Sequence, residues 1–196
     1  MFMMGSGFST SFVRSWGWKA GFILAWRLKL IGLRGLGQKT LHGRLEMKER
    51  SVYLDTSAIV KRYVVEEGSS RVDEFYDEAH AGRATLGFSI WNIGEVAVVL
   101  DKYERRDVLS DAKQVFARFV GETRLLAKLN QLKLVPLNSA VIFAATKYVF
   151  KHGIYVADAI QLASAREFNL FLTYDKKLSR IAKDEKLKLA INEEAS

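Results

Sequence analysis

From Ser51 onward, short apolar runs alternate with longer stretches in which apolar residues recur every three or four positions, a pattern that predicts βα units around a mostly parallel sheet. The strands read as Ser51 to Leu54, Thr85 to Ser89, Leu132 to Val135 and Leu170 to Thr173, with Leu187 to Ile191 as a short final one. Helices are predicted over Ser57 to Val65, Ser69 to Ala81, Trp91 to Arg105, Ser110 to Asn130, Asn138 to Phe150, Tyr155 to Phe168 and Asp175 to Asp184. Local punctuation supports these bounds. Ser69 and Ser70 follow Gly68 as capping residues, Asn138 caps the fifth helix and Gly153 ends it. Val115, Phe119, Leu126 and Leu129 mark the apolar side of the long fourth helix.

The stretch before this pattern is of a different kind. Residues 1–46 combine Trp16, Trp18 and Trp26 with many glycines and serines, and they carry most of the charge. The whole chain has a net charge of +8, of which +6 falls in residues 1–46 and +2 in residues 47–196. Overall basicity is therefore no argument that the second part binds a polyanion, although a local basic rim still can. The apolar run Ala20 to Trp26 gives way to Arg27 and Lys29, well short of the ~20 apolar residues that span a bilayer. No transmembrane helix is expected. Residues 1–46 read as an appendage to a domain over 47–196: either upstream sequence read through from an over-extended start ahead of Met47, or a basic aromatic membrane-surface or targeting segment, or a part with a folded role.

Composition narrows the chemistry. The 196 residues suit one compact domain plus the appendage, and 49% hydrophobic with 27% charged residues is ordinary for a globular protein. There is no cysteine, which excludes disulfides, thiolate metal sites and a cysteine nucleophile, and fits a reducing cytoplasm. His42, His80 and His152 are too scattered for a histidine-rich zinc site.

Acidic residues beside the predicted strand ends stand out instead. In open α/β sheets, ligands bind beyond the carboxyl ends of the strands. Asp55 follows Val52-Tyr53-Leu54, and Asp175 stands two residues after Thr173. Glu95 lies near the start of the helix after the second strand, within Ile93-Gly94-Glu95-Val96, and Asp158 is the lone charge in Val156-Ala157-Asp158-Ala159-Ile160. An ionised carboxylate among apolar residues costs several kcal/mol unless compensated, and no compensating Arg or Lys lies nearby in sequence at Asp158, Glu95 or Asp55. Clustered carboxylates also repel one another, whereas a hard divalent cation such as Mg²⁺ or Mn²⁺ prefers oxygen ligands and removes that penalty. Plainer readings exist for each residue taken alone. Asp55 and Asp175 can cap the helices that follow them, Asp158 can complement a helix dipole, and Glu95 can pair with a distant arginine. One shared site explains all four positions at once.

These segments resemble the motifs of PIN-domain nucleases, and especially VapC-type toxins. Asp55-Thr56-Ser57-Ala58-Ile59-Val60-Lys61 is similar to the opening motif, Ile93-Gly94-Glu95-Val96 to the second, Ala157-Asp158-Ala159-Ile160-Gln161-Leu162-Ala163 to the third and Leu172-Thr173-Tyr174-Asp175-Lys176-Lys177-Leu178 to the fourth. The resemblance covers about residues 50 to 190. It implies a three-layer α/β fold with a mostly parallel sheet of about five strands flanked by helices. It also implies an acidic pocket for one or two divalent ions, hydrolysis of RNA, a cognate antitoxin and a homodimer. In that scheme Asp55, Glu95 and Asp158 form the principal metal shell, while Asp175 serves a second ion, a water or the nucleophile. Thr56 and Thr173 are supporting candidates through their hydroxyls. Lys61, Arg62, Lys176, Lys177 and Arg180 are candidates for phosphate contacts, with solvated helix faces as the plainer reading. A haloacid-dehalogenase-like phosphatase is excluded, because it needs a second aspartate where this chain has Ser57. A metal-free binding module and a degenerate scaffold that cuts nothing are the remaining alternatives, and metal-dependent cleavage separates them from a nuclease.

Overall fold

A computed structural model describes residues 50–190, so the expectations for residues 1–46 and for Ile191 lie outside the described part. Four strands, β1 (Arg50–Leu54), β2 (Ala84–Ser89), β3 (Leu132–Val135) and β4 (Leu170–Leu172), form one sheet in the order β3-β2-β1-β4, every pair parallel. Seven helices flank it: α1 (Thr56–Lys61), α2 (Ser69–His80), α3 (Ile90–Glu104), α4 (Ala112–Lys128), α5 (Ser139–His152), α6 (Val156–Ala165) and α7 (Lys176–Asp184). The side-chain alternation of the strands sorts them into two layers. Val52, Leu54, Leu86 and Phe88 face one core, built with α1 to α4, whereas Tyr53 and Phe171 face another, built with α5 to α7. This is the expected three-layer α/β arrangement.

The fifth strand is a correction. Around Leu189 there is one parallel bridge to Phe171, with backbone bonds from Phe171 to Lys188 and from Ala190 to Phe171, and no further ladder among the described residues. Lys186 at φ 59° turns the chain just before this bridge, which leaves little length for pairing. Several helices are shorter than predicted, most of all three: α1 ends at Lys61 rather than Val65, α6 at Ala165 rather than Phe168, and α4 spans Ala112 to Lys128 within the predicted Ser110 to Asn130. In α4, Phe119 and Leu126 are fully buried and Val115 packs against them, but Leu129 sits at the C-cap and is exposed. Gly153 closes α5 in the left-handed region, as its position suggested.

Gly87 shows how tightly the strands meet the second layer. An added Cβ would lie 2.1 Å from the Phe168 ring and 3.1 Å from the Lys133 carbonyl oxygen. Phe168 in turn packs edge-on against Tyr53, with ring centroids 5.4 Å apart. Gly87→Ala is therefore expected to lower stability by roughly 1–3 kcal/mol, because Phe168 must leave Tyr53 and the strand backbone must shift. Urea unfolding monitored by circular dichroism measures this, and a variant as stable as the parent would show that the ring relocates freely.

Candidate active site

The chain leaves β1 for β2 and β3 on one side, then crosses to place β4 on the other side of β1. The crevice at the carboxyl ends of β1 and β4 is therefore the point where strand order reverses, the usual ligand position in such sheets. Asp55 follows β1 directly and caps α1, its Oδ1 accepting from the Ala58 N–H at 2.9 Å. Asp175 caps α7 in the same way, accepting from the Leu178 N–H at 2.8 Å. Both thus take the capping role that was the plainer reading, and their backbone-fixed orientation holds them at the crevice. Glu95 reaches it from α3 in the first helical layer and Asp158 from the first turn of α6 in the second. All four line one pocket of about 790 Å³, together with Thr56, Ser57, Lys61, Trp91, Gly94, Val98 and Gln161.

Hydroxyl groups hold the acids, and each hydroxyl is itself oriented. Ser57 Oγ accepts from the Tyr174 N–H at 2.8 Å and donates to Asp55 Oδ1 at 2.6 Å. Thr173 Oγ1 accepts from the Asp175 N–H at 3.1 Å and donates to Asp55 Oδ2 at 2.6 Å. Glu95 Oε2 receives Thr56 Oγ1 at 2.5 Å and Gln161 Nε2 at 2.8 Å. The direction of these bonds is set deeper in the protein. Ser89 N–H donates to Asn92 Oδ1, which leaves the Asn92 amide nitrogen to serve Thr56 Oγ1 at 2.9 Å and Gln161 Oε1 at 3.1 Å. The buried Tyr53 hydroxyl, accepting from Ser89 N–H, also donates to Gln161 Oε1 at 2.7 Å. With two donors on its oxygen, Gln161 must turn its NH₂ toward Glu95.

Ser57, Asn92, Gln161 and Tyr53 were given no role from sequence. The signal was present for the amides: Asn92 stands within Ile90-Trp91-Asn92-Ile93 and Gln161 within Ala159-Ile160-Gln161-Leu162, and a buried amide needs partners for the same reason a carboxylate does. Both are fully or almost fully buried.

The electrostatics are those of crowded acids. Asp55 is 4% exposed, and burial pushes its carboxyl up to about 6 against the pull of Ser57, Thr173 and Ala58, with Asp175 adding to the rise. Asp158 is also raised, by burial first and then by Asp175 and Glu95, while Lys177 acts in the opposite sense. Lys177 is a compensating cation that adjacency in sequence did not reveal. Among the described residues no three acidic or histidine side chains stand as a ready-made metal cage. The donor set nonetheless fits a hard divalent ion, since it offers only oxygen ligands, and Mg²⁺ keeps several waters and takes one or two carboxylates rather than a full protein cage.

The basic candidates separate. Lys61 lines the pocket, pairs with Glu66 at 2.9 Å and lies 4.8 Å from the Tyr174 ring. Lys176, Lys177 and Arg180 are exposed on α7. Arg62 is not among the pocket-lining residues; its guanidinium is bonded to Glu122 and Asp73 and lies 4.9 Å from the Tyr76 ring, which ties it to the framework.

Residues 52–184 match the family model of the PIN domain. The solved structure of VapC20 from Mycobacterium tuberculosis, a sarcin–ricin loop cleaving toxin, is similar with a TM-score of 0.50 and 13% identity, over 66% of this chain and 94% of that one. A toxin–antitoxin complex from Klebsiella pneumoniae gives 0.42 at 16% identity over 64% and 88%, and VapBC2 from Rickettsia felis, bound to a promoter DNA fragment, gives 0.46 at 16% over 71% and 96%. No curated protein sequence matches the chain. At 13% identity the first likeness bears on the fold. Because the family match runs from the strand before Asp55 to the end of the helix that Asp175 caps, the chain belongs to the PIN domain family.

Proposed function

We propose that this protein is a divalent-cation-dependent endoribonuclease acting in the cytoplasm as the toxin of a toxin–antitoxin pair. The observation that carries the reading is the meeting of Asp55, Glu95, Asp158 and Asp175 in one pocket, where burial and mutual repulsion disfavour the ionised forms of Asp55 and Asp158. Mg²⁺ or Mn²⁺ is the cofactor that such a donor set suits. Asp55, Glu95 and Asp158 would hold it, with Asp175 at a second ion or orienting the attacking water. A bound cation supplies charge neutralisation at the phosphoryl oxygens and a more acidic water.

The remaining work falls to the chain's own side chains. Thr173 and Ser57 fix both oxygens of Asp55, and Thr56 with Gln161 fixes one oxygen of Glu95, which keeps the acids from swinging apart. Lys61, which lines the pocket, and Lys176, Lys177 and Arg180, exposed on α7, would meet RNA phosphates. The motif resemblance to VapC-type toxins brings a cognate antitoxin and a homodimer as the partners to look for. Structured RNA is the first substrate to try, given the loop-cleaving toxin of similar fold.

The purified full chain is expected to cleave RNA with Mg²⁺ or Mn²⁺, to stop with EDTA and to resume when the cation is restored. Gel analysis of end-labelled RNA measures this. Cleavage that persists unchanged in EDTA would overturn the reading.

A further inference from the structure

Gln161 stands three residues after Asp158 on the same face of α6 and lines the pocket, its Nε2 donating to Glu95 Oε2 at 2.8 Å. Its carbonyl oxygen is a hard-cation ligand in its own right, as side-chain amides are for Ca²⁺. A half-turn of the amide would bring that oxygen between two of the acids. The two ends of an amide have nearly the same shape, so hydrogen-bond partners alone decide which of them faces the pocket.

Those partners trace back to one backbone group. The Ser89 N–H can only donate, and it does so to Asn92 Oδ1 at 2.8 Å and to the Tyr53 hydroxyl oxygen at 3.1 Å. Asn92 is thereby turned so that its Nδ2 faces Gln161 Oε1 at 3.1 Å. The Tyr53 proton goes to the same oxygen, 2.7 Å away, rather than to Asn92 Oδ1 at 3.4 Å. Burial pushes the Tyr53 hydroxyl well above its ordinary range, which keeps it a donor. Tyr53, Ser89 and Asn92 are fully buried, so water offers no substitute partner. Turned over, Gln161 would set its NH₂ against two donors and its carbonyl against the Glu95 carboxylate. None of these three buried residues lines the pocket.

We propose that Tyr53 and Asn92 set the cation preference of the acidic site: by holding the Gln161 carbonyl out of it, they favour Mg²⁺ over Ca²⁺. Mg²⁺ needs near-octahedral geometry, keeps several waters and takes one or two carboxylates, whereas Ca²⁺ gathers about six to eight oxygens and gains from a further protein carbonyl. The inference rests on the reading of the pocket as a divalent-cation site and assigns its selectivity to residues behind it.

The test is calorimetric titration of the full chain with Mg²⁺ and with Ca²⁺ in the absence of RNA, read as the ratio of the two dissociation constants. Asn92→Asp keeps an acceptor for the Ser89 N–H and replaces the amide donor by a second acceptor, so Gln161 turns its NH₂ inward and its carbonyl toward the pocket. The ratio is expected to shift about tenfold toward Ca²⁺, the lower end of what partners behind a metal ligand are worth. Tyr53→Phe removes one donor without adding charge. It is expected to shift the ratio the same way by less, and it decides the matter if Asn92→Asp does not fold. Both substitutions are repeated together with Gln161→Met, which leaves no amide to turn, and there neither is expected to move the ratio. An unchanged ratio in both single variants overturns the proposal while leaving the cation site intact. A shift that survives alongside Gln161→Met also overturns it, because Gln161 would then not be the carrier. A parent that binds neither ion fails the cation reading itself, and this proposal with it.

Discussion

Asp158→Asn is expected to slow RNA cleavage by roughly 10²- to 10³-fold or more, with the melting temperature equal to the parent's or higher. Asp158 suits this substitution better than the other acids do. It accepts no hydrogen bond among the described residues, and its carboxyl is raised by burial and by the charges of Asp175 and Glu95. Removing its charge therefore relieves repulsion and breaks no framework bond, so lost activity can be read as lost chemistry. Asp55 is different, for Ser57, Ala58 and Thr173 all donate to it. An amide there must turn its NH₂ toward one of those donors, and Asp55→Asn mixes catalytic loss with local rearrangement. Single-turnover cleavage beside calorimetry makes the comparison, with Mn²⁺ titration as an independent readout of cation binding. A folded Asp158→Asn protein that cuts at the parental rate would remove this residue from the machinery.

The second large effect is a pH dependence of stability that reverses when a divalent ion is added. In the metal-free protein the Asp55 carboxyl lies at about 6, against 3.8 for the free group. The folded state thus holds the proton more tightly than the unfolded state. Its stabilising contribution is complete below about pH 4, falls as pH rises through 6, and is gone above that; two pKa units correspond to about 3 kcal/mol. Asp158 is shifted in the same direction. Glu122 opposes them at the acid end: although burial pushes it up, bonds from His80 and Arg62 bring it down to about 2, so the stability it contributes is lost as pH falls below 4.5. Thermal unfolding in EDTA is accordingly expected to show greatest stability near pH 4 to 5 and a decline toward neutrality. Saturating Mg²⁺ or Mn²⁺ should flatten or invert that decline, because the cation favours the ionised carboxylates. The decline should also largely vanish in Asp55→Asn. A variant that retains the parental slope in EDTA would show that the Asp55 proton is not its source.

Much of the site could be read along the chain because each acid is tied to an element boundary. Asp55 and Asp175 follow strands and cap helices, Asp158 opens a helix, and Glu95 lies one turn into another. Strand ends in a parallel sheet deliver side chains to one edge by topology alone, so locating the strands located the site. The fifth strand failed because a run such as Leu187 to Ile191 has the composition for pairing, but pairing length depends on how the chain arrives, and Lys186 bends it there. Arg62 lies apart from the pocket residues for a related reason. It adjoins Lys61 in sequence, yet the roughly 100° between successive helical positions sends the two side chains apart, Lys61 to the pocket and Arg62 to Glu122 of α4, sixty residues away.

By itself, then, the amino-acid order determined the alternation of strands and helices, the two faces of the sheet and the identity of four carboxylates at its carboxyl edge, because hydrophobic period, capping and strand ends are local properties. Only the tertiary structure decided how those carboxylates are held and what else shares their pocket. The chain Ser89–Asn92–Gln161–Glu95, the hydroxyl bonds to Asp55 and the pull of Lys177 on Asp158 all join residues from different elements. Hydrogen bonds and charge interactions act through space, and their partners are set by the packing of helices that the sequence pattern lists but does not arrange.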